Sequence, residues 1–379
     1  MSKILEFPGF VDVHVHFRDP GVPTAETTAS GLEAARRGGF AAVVTMPNTT
    51  PACDSPEQMD YQRAAARLSR SDNQTILLPS ACITKGRLGK EVAELESLAD
   101  AGAAFFTDDG NFVEDDKVME EAMRRAYDLN MVVCQHAMTW KGGGSPAGNV
   151  IRDCALARQL GLGIIPVSVE TDAIRRDLSL CRETGCRLHI QHISTAEGVS
   201  LVRAAQQEGL PVTAEAMPHH LLLSCDDLTV DDANFKMAPP LGNREDRAEL
   251  RRAAKDGVLM FATDHAPHPA DKKSVGFAKS ANGIIGLEVA VPITYAVMVE
   301  EEGMSVEKWA EAWWKMPRDI VGIGSFGSLR SEGPVDPVMT LNDTKVVIGD
   351  EKAVDINSFA SLSRNCPYNG MKFRCWPCK

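Results

Sequence analysis

Phe7-Pro8-Gly9-Phe10-Val11-Asp12-Val13-His14-Val15-His16-Phe17-Arg18-Asp19-Pro20-Gly21 is the stretch from which the rest of the chain can be read. Its Val and Phe content, bounded by Pro8-Gly9 and Pro20-Gly21, predicts a β-strand over 10–18. The two-residue period of a strand then puts Asp12, His14, His16 and Arg18 on one face and the valines on the other. Two imidazoles so spaced on a strand meet one metal ion side by side, whereas on a helix they would diverge. The His-x-His pair therefore reads as half of a metal site, against the alternative of histidines merely satisfied by hydrogen bonds.

With 379 residues, the chain is long enough for one large α/β barrel or for two to three ordinary domains, and its 44% hydrophobic content supplies a substantial core. It contains no apolar run of about 18 residues, so no membrane span is expected. Met1 to Glu6 carries neither a basic n-region nor an apolar h-region, and the expectation is a cytoplasmic protein. Ten cysteines scattered through predicted strands and helices suit reduced thiols. A net charge of −12 argues against nucleic acid as the main partner. It leaves room for a small anionic substrate, because a local Arg and metal ions set the field in the site.

Outward from the first strand, short β-rich runs near 10–18, 40–46, 75–80, 103–107, 131–136, 187–193, 211–216 and 258–264 alternate with helical patterns. The helices are expected over 24–37, with a stop at Gly38-Gly39, and over 56–70, 90–101, 115–129, 149–161, 168–184, 195–208 and 244–256. Strand and helix repeated eight times imply parallel strands with crossover helices, and the closed solution is an α/β (β/α)8 TIM-type barrel. A doubly wound open sheet is the runner-up, disfavoured because no Gly-x-Gly-x-x-Gly turn follows any strand. A barrel should carry its chemistry at the carboxyl ends of its strands. There the chain places His14, His16 and Arg18, then Asn48, Asp108-Asp109, His136, His192 and finally Asp264-His265-Ala266-Pro267-His268. A helical stretch over 284–316 precedes a change of composition. Residues 1–321 are thus expected to form the barrel and 322–379 a short β-rich C-terminal appendage.

Four strand-end histidines and carboxylates from strands 4 and 8 are enough for two divalent metals. One division gives the first metal His14, His16 and Asp264 and the second His136 and His192, with a strand-4 carboxylate bridging. Zinc suits this donor mix, and manganese, cobalt or iron would accept it. Such a site implies hydrolysis, or its reverse, at a carbonyl or phosphoryl centre.

These residues resemble the amidohydrolase superfamily, and within it the dihydroorotase family, in particular the bacterial class with an aspartate-bridged pair of metals. The resemblance runs from about residue 7 to 365. It rests on His14 to Gly21, Met46-Pro47-Asn48-Thr49, Ile83-Thr84-Lys85-Gly86, Asp108-Asp109-Gly110, His189 to Thr195, Pro218-His219-His220-Leu221, Ala262 to His268 and Ser363-Arg364-Asn365. It implies two divalent metals, most consistent with Zn2+, held by His14, His16, Asp109, His136, His192 and Asp264. Asp108 remains an alternative bridge, its plain role being a hydrogen bond to loop amides. It implies dihydroorotate as substrate, formed reversibly from carbamoyl aspartate in pyrimidine synthesis, with Asp264 as acid and base. Arg18 would fork the substrate carboxylate, and Asn48 and His268 match the other substrate-binding positions. A homo-oligomer or a pyrimidine-pathway enzyme partner is also compatible.

The chain departs from the family pattern in three places. A longer N-terminal run that pairs with the C-terminal segment in a small β-sandwich has no counterpart, so the tail is expected to form a reduced sheet or to wrap the barrel. Ala238 stands where the family carries a substrate-binding Asn, and Ala137-Met138 follow His136 in place of a Cys-Glu pair. A hydantoinase- or allantoinase-like enzyme, or an inactive scaffold, are the alternatives. Packing or support is expected of His265, and catalysis is the minor reading for His219 and His220. His189 should point away from His192, and Cys375-x-x-Cys378 lacks a partner pair for a zinc or redox role.

Overall fold

The computed structural model describes residues 2–69, 75–140, 149–322 and 341–378. Its strands, in chain order, are β1 (Lys3–Phe7), β2 (Phe10–Val15), β3 (Phe40–Thr45), β4 (Ile76–Pro79), β5 (Val132–Gln135), β6 (Asn149–Ile151), β7 (Gly163–Ile164), β8 (Arg187–Ile190), β9 (Val212–Ala216), β10 (Met260–Phe261), β11 (Thr344–Ala353) and β12 (Lys372–Cys378). Two parallel sheets, β2-β3-β4 and β5-β8-β9-β10, are the two arcs of one barrel. Residues 104–107 close the first gap: Ala104 N donates to Pro79 O at 2.9 Å, Thr107 N to Ala81 O at 2.9 Å and Phe106 N to Val132 O at 3.1 Å. The second gap closes where His16 N donates to His265 O at 2.9 Å, beside a parallel bridge from Val15 to His265. This is the (β/α)8 barrel, and the helices lie between its strands in sequence.

The strand residues divide between two apolar layers. Val11, Val13, Ala42, Val44, Leu78, Phe105, Cys134 and Ala262 form one cluster, the barrel interior, which is joined by Met316 and Ile320 at the end of the last helix. Phe10, Val43, Leu77, Phe106, Val133 and Phe261 pack instead with helical residues such as Leu32, Met59, Met119 and Ile174. The alternation expected over 10–18 is broken on the way: Val13 faces the interior and Val15 the helices, across an irregular register between Asp12 and Val15. That irregularity, a local bulge, re-aims the histidines above an apolar floor. Strand β2 also stops at Val15, so Arg18 is not a strand residue; its φ is +57°.

Other elements are shorter than the sequence implies. The fourth barrel segment bridges only at Phe106, because residues 104–107 are pinned by neighbours on both sides rather than extended further. The helix expected over 90–101 is Leu95–Asp100, since Val92 bridges back to Thr84. The one expected over 149–161 is instead β6 followed by Ala155–Leu160. The long helical stretch begins only at Ala290–Thr294, because Ile284 is bridged to His265; it widens into a π-helical turn at Tyr295–Glu301 and resumes as Val306–Ile320. Helices Ser168–Thr184 and Arg244–Asp256 have the expected bounds.

Outside the barrel, β11 pairs antiparallel with β1 on one side and β12 on the other, with Lys3 opposite Ile348 and Lys345 opposite Cys378. The tail is thus part of a three-stranded sheet, one of whose two outer strands comes from residues 3–7; the expected start of the tail at 323–340 lies outside the described residues. Among the described residues no helix is long and apolar enough to cross a membrane.

Candidate metal centre

Asp109 sits at the middle of the barrel mouth. Its carboxylate oxygens lie 3.3 Å from His14 Nε2, 3.3 Å from His16 Nε2, 3.4 Å from His136 Nδ1 and 3.5 Å from His192 Nε2. Those atoms form two triads, His14/His16/Asp109 and Asp109/His136/His192, each with its ligand atoms within 4.8 Å of one another. Asp264 Oδ1 lies 3.0 Å from His16 Nε2 and 3.5 Å from His14 Nε2. All six residues are buried. His14 Nε2, Asp109 Oδ1 and His192 Nδ1 have no hydrogen-bond partner although buried, and two of these three orphans face the centre of the cluster. Buried polar atoms left unpaired are uncommon and call for an explanation, for which a cation shared by these donors suffices.

The histidines are oriented from behind. Glu215 of β9 accepts from His14 Nδ1 at 2.6 Å and from His192 N at 3.2 Å, and its other oxygen lies 3.1 Å from His189 Nε2. Asn48 Oδ1 accepts from His16 Nδ1 at 2.9 Å. In both rings the outer nitrogen is thereby taken, which leaves Nε2 as the atom that faces Asp109, where a bound cation would meet its lone pair. Burial raises the Glu215 carboxyl, but His14 and His189 outweigh it and hold the group below the usual carboxylate range. His192 and Asp264 have φ of +37° and +46°, conformations that side chains other than glycine seldom adopt. The turn after His192 is held by buried Glu170, which accepts from Ser194 N at 3.2 Å and Thr195 Oγ1 at 2.6 Å and pairs with Arg152 Nη2 at 3.4 Å.

Asp108 does the work of a loop anchor: its carboxylate accepts from Ile83 N at 2.9 Å and Thr84 N at 3.1 Å. Arg18 reaches the mouth, where its Nε lies 3.4 Å from Pro267 O. His268 Nε2 donates to Asn282 O at 2.7 Å, and its backbone N donates to Asn365 Oδ1 at 3.2 Å. His265 takes no place at the cluster; Nε2 donates to Glu26 Oε2 at 3.2 Å and Nδ1 accepts from Gly286 N at 3.2 Å. His219 and His220 are buried on the short helix Pro218–Leu222, with His220 Nε2 donating to Pro239 O at 3.1 Å. Cys375 and Cys378 are free thiols on β12. Ala238 and Met138, two of the departures from the family pattern, share one apolar cluster with Trp140, Ile165 and Val169.

Sequence reasoning does not reach Glu215 and Glu170. The signal for Glu215 was present: a carboxylate inside the otherwise apolar Val212–Ala216 is a buried charge that needs a partner.

A family model described as dihydro-orotase-like matches residues 3–198. A curated protein named dihydroorotase from Anoxybacillus flavithermus is 39% identical over 98% of this chain and 84% of its own length. Among solved structures, the L-hydantoinase (dihydropyrimidinase) of Arthrobacter aurescens superposes with a TM-score of 0.80 at 25% identity, covering 98% of this chain and 82% of that one. A dihydroorotase from Saccharomyces cerevisiae in complex with 5-fluoroorotic acid shares the fold, with a TM-score of 0.74 at 16% identity over 99% of this chain and 98% of that one. A barrel of this kind with a His and Asp cluster at its mouth, on a chain with these relatives, defines a metal-dependent cyclic amidohydrolase. The chain belongs to the dihydroorotase family of the amidohydrolase superfamily.

Proposed function

We propose that this chain interconverts dihydroorotate and carbamoyl aspartate, and that its mouth holds two divalent metal ions, zinc being the best match to the donors. The observation that carries the reading is the Asp109 carboxylate lying 3.3–3.5 Å from two pairs of imidazoles, in a relative 39% identical to a dihydroorotase. His14, His16 and Asp264 would hold one ion and His136 and His192 the other, with Asp109 common to both. When bound, the ions supply Lewis acidity at a carbonyl and lower the pKa of water.

The side chains divide the remaining work. Burial raises the Asp264 carboxyl, but His14 and His16 outweigh it and hold the group below its ordinary range, so it is ionised at neutral pH and able to accept a proton. In ring opening it takes the proton of the attacking water and returns it to the leaving ring nitrogen; in ring closure it takes one from the ureido nitrogen as the C–N bond forms and passes it to the carboxyl oxygen that departs as water. Burial lowers the Arg18 guanidinium to about 10, which still leaves it charged at neutral pH to fork the substrate carboxylate. Burial and the nearby Arg18 lower His268 to about 3, so the ring is neutral. With Nε2–H given to Asn282 O, its Nδ1 is an acceptor for a substrate N–H. Asn48 spends Oδ1 on His16 and keeps its amide nitrogen for the substrate.

A second reading, hydrolysis of another cyclic amide such as a hydantoin, is favoured by the apolar cluster around Ala238 and Met138. Assay of dihydroorotate and carbamoyl aspartate with added metal, on the wild type and on Asp264→Ala with bound metal counted, separates the two. Activity lost in the variant supports the dihydroorotase reading. Two bound metals without activity on either compound would sink it and bring a cyclic-amide panel next. In the same reading the chain divides into a barrel over 1–321 and an appendage over 322–379, with β1 contributed to the appendage sheet.

A further inference from the structure

Two loops meet behind Asp109 and lock each other. From one side the Asp108 carboxylate binds the amides of Ile83 and Thr84. From the other, Arg87 Nη2 donates to Asp109 O at 2.6 Å, while Asn111 Nδ2 donates back to Arg87 O at 2.9 Å. The backbone of Asp109 is thus gripped at both ends, since its N–H donates to Thr107 Oγ1 at 3.0 Å. The next residue is Gly110 at φ +82°, in a turn closed by Asn111 N donating to Asp108 O at 2.9 Å; a closing bond of this kind is compatible with either orientation of the central 109–110 peptide, and glycine tolerates both, so a contact from outside the turn selects between them. Arg87 fills the space a side chain would use: a Cβ on Gly110 would lie 3.1 Å from Arg87 Nη2 and 3.5 Å from Asn48 Nδ2. Arg87 itself has φ of +58°, and its buried Nε has no hydrogen-bond partner. Buried Arg152 and mostly buried Arg176 pair with Glu170 and Asp177, whereas among the described residues no carboxylate is in ion-pair contact with Arg87, whose charge reaches Asp108 only at longer range. Its Nη2 is directed at carbonyls, that of Asp109 at 2.6 Å and that of Asp108 at 3.5 Å.

We infer that Arg87 is a positioning residue for Asp109: by holding the carbonyl of the 109–110 peptide, it sets where the carboxylate stands between the two histidine pairs. The inference rests on the binuclear reading above. A carboxylate 3.3–3.5 Å from four imidazoles tolerates little rotation, because turning toward one pair withdraws it from the other. Lys in place of Arg would reach the carbonyl with a single donor and recover part of the effect; an uncharged, donor-free side chain would not.

The test measures Zn2+ affinity by competition with a chromophoric chelator, and the visible spectrum of the Co2+-loaded protein, on the full chain. The wild type, Arg87→Met, Arg87→Lys and Leu88→Ala are compared, Leu88 being the exposed neighbour. Loss of an outer hydrogen-bond partner typically weakens a metal site about 10–100-fold, the result expected for Arg87→Met. A changed Co2+ spectrum, partial recovery in Arg87→Lys and no change in Leu88→Ala complete the expected pattern. Wild-type affinity and spectrum in Arg87→Met would overturn the inference. If Arg87→Met gives no cooperative melt, Arg87→Lys and Arg87→Gln decide by the same two readouts: the inference stands if Gln binds metal more weakly than Lys and falls if both match the wild type. A wild type that takes up no metal would fell the binuclear reading instead.

Discussion

His14 is useful only in one tautomer, and Glu215 decides which. With the carboxylate 2.6 Å from Nδ1, the ring turns Nε2 toward Asp109, where a bound cation would meet its lone pair. Glu215→Gln keeps the shape and removes the charge; the expected result is a loss of roughly 10–100-fold in metal affinity, read by chelator competition. Unchanged affinity would mean that the ring holds its tautomer unaided. Asp264→Asn is nearly isosteric and cannot take a proton; kcat is expected to fall by about 10²–10⁴, the range for a positioned acid and base. A kcat within a few-fold of wild type would assign the proton to another group. Among these residues the members of the cluster were legible because histidines and aspartates at strand ends have few other reasons to recur. Glu215 was not, since its partners lie on β2 and β8, far away in the chain.

The segment after β10 shows how a loop is made rigid without regular structure. Lys273 Nζ donates to Lys236 O at 3.3 Å, Ala281 O at 3.0 Å and Gly283 O at 2.9 Å, and so ties the loop of Ala238 to the one that receives His268. Gly283 is required there: a Cβ would lie 2.5 Å from Ala266 O and 2.6 Å from His268 Cδ2. Gly283→Ala is therefore expected to raise KM several-fold while the metals stay bound, and an unchanged KM would dissociate His268 from substrate binding. Burial, with Lys236 nearby, lowers Lys273 to about 7 from the 10.5 of a free lysine. Between those two values the unfolded chain holds a proton that the folded chain has released, so this group makes stability rise with pH. Below about 7 both states are protonated and the slope vanishes. Denaturant unfolding from pH 6 to 10 should show that slope above pH 7 in the wild type and its loss in Lys273→Met. Equal slopes in the two proteins would show that Lys273 does not titrate in this window.

Helix Val306–Ile320 packs its two buried indoles on the helix-facing layer of the barrel. Trp313 lies 5.2 Å from the Phe40 ring and 5.4 Å from Phe261, ring centroid to centroid, and Trp309 lies 5.6 Å from Phe10 and 5.9 Å from Phe7. Both indole N–H groups donate to one hydroxyl, Thr294 Oγ1, at 3.1 and 3.0 Å. Thr294→Val leaves two buried donors unpaired and is expected to destabilise the chain by roughly 1–3 kcal/mol for each. Chemical denaturation measures this, with activity per folded molecule unchanged; wild-type stability would mean that the indoles find other acceptors. Phe7 links this layer to the appendage, since its ring also stacks on Phe10 at 5.8 Å.

The eightfold alternation of strands and helices and the metal-type residues at strand ends were legible because hydrophobic period and residue chemistry are local properties of a chain. Strand ends were less so. The fourth and eighth barrel segments are set by hydrogen bonds from their neighbours, and Ile284 is drawn out of the expected helix by its bridge to His265. The choice between Asp108 and Asp109 also lay beyond the chain order. Adjacent residues of identical chemistry differ only in what the folded backbone brings to them: the amides of residues 83 and 84 to one, and four imidazoles at or just beyond the ends of β2, β5 and β8 to the other.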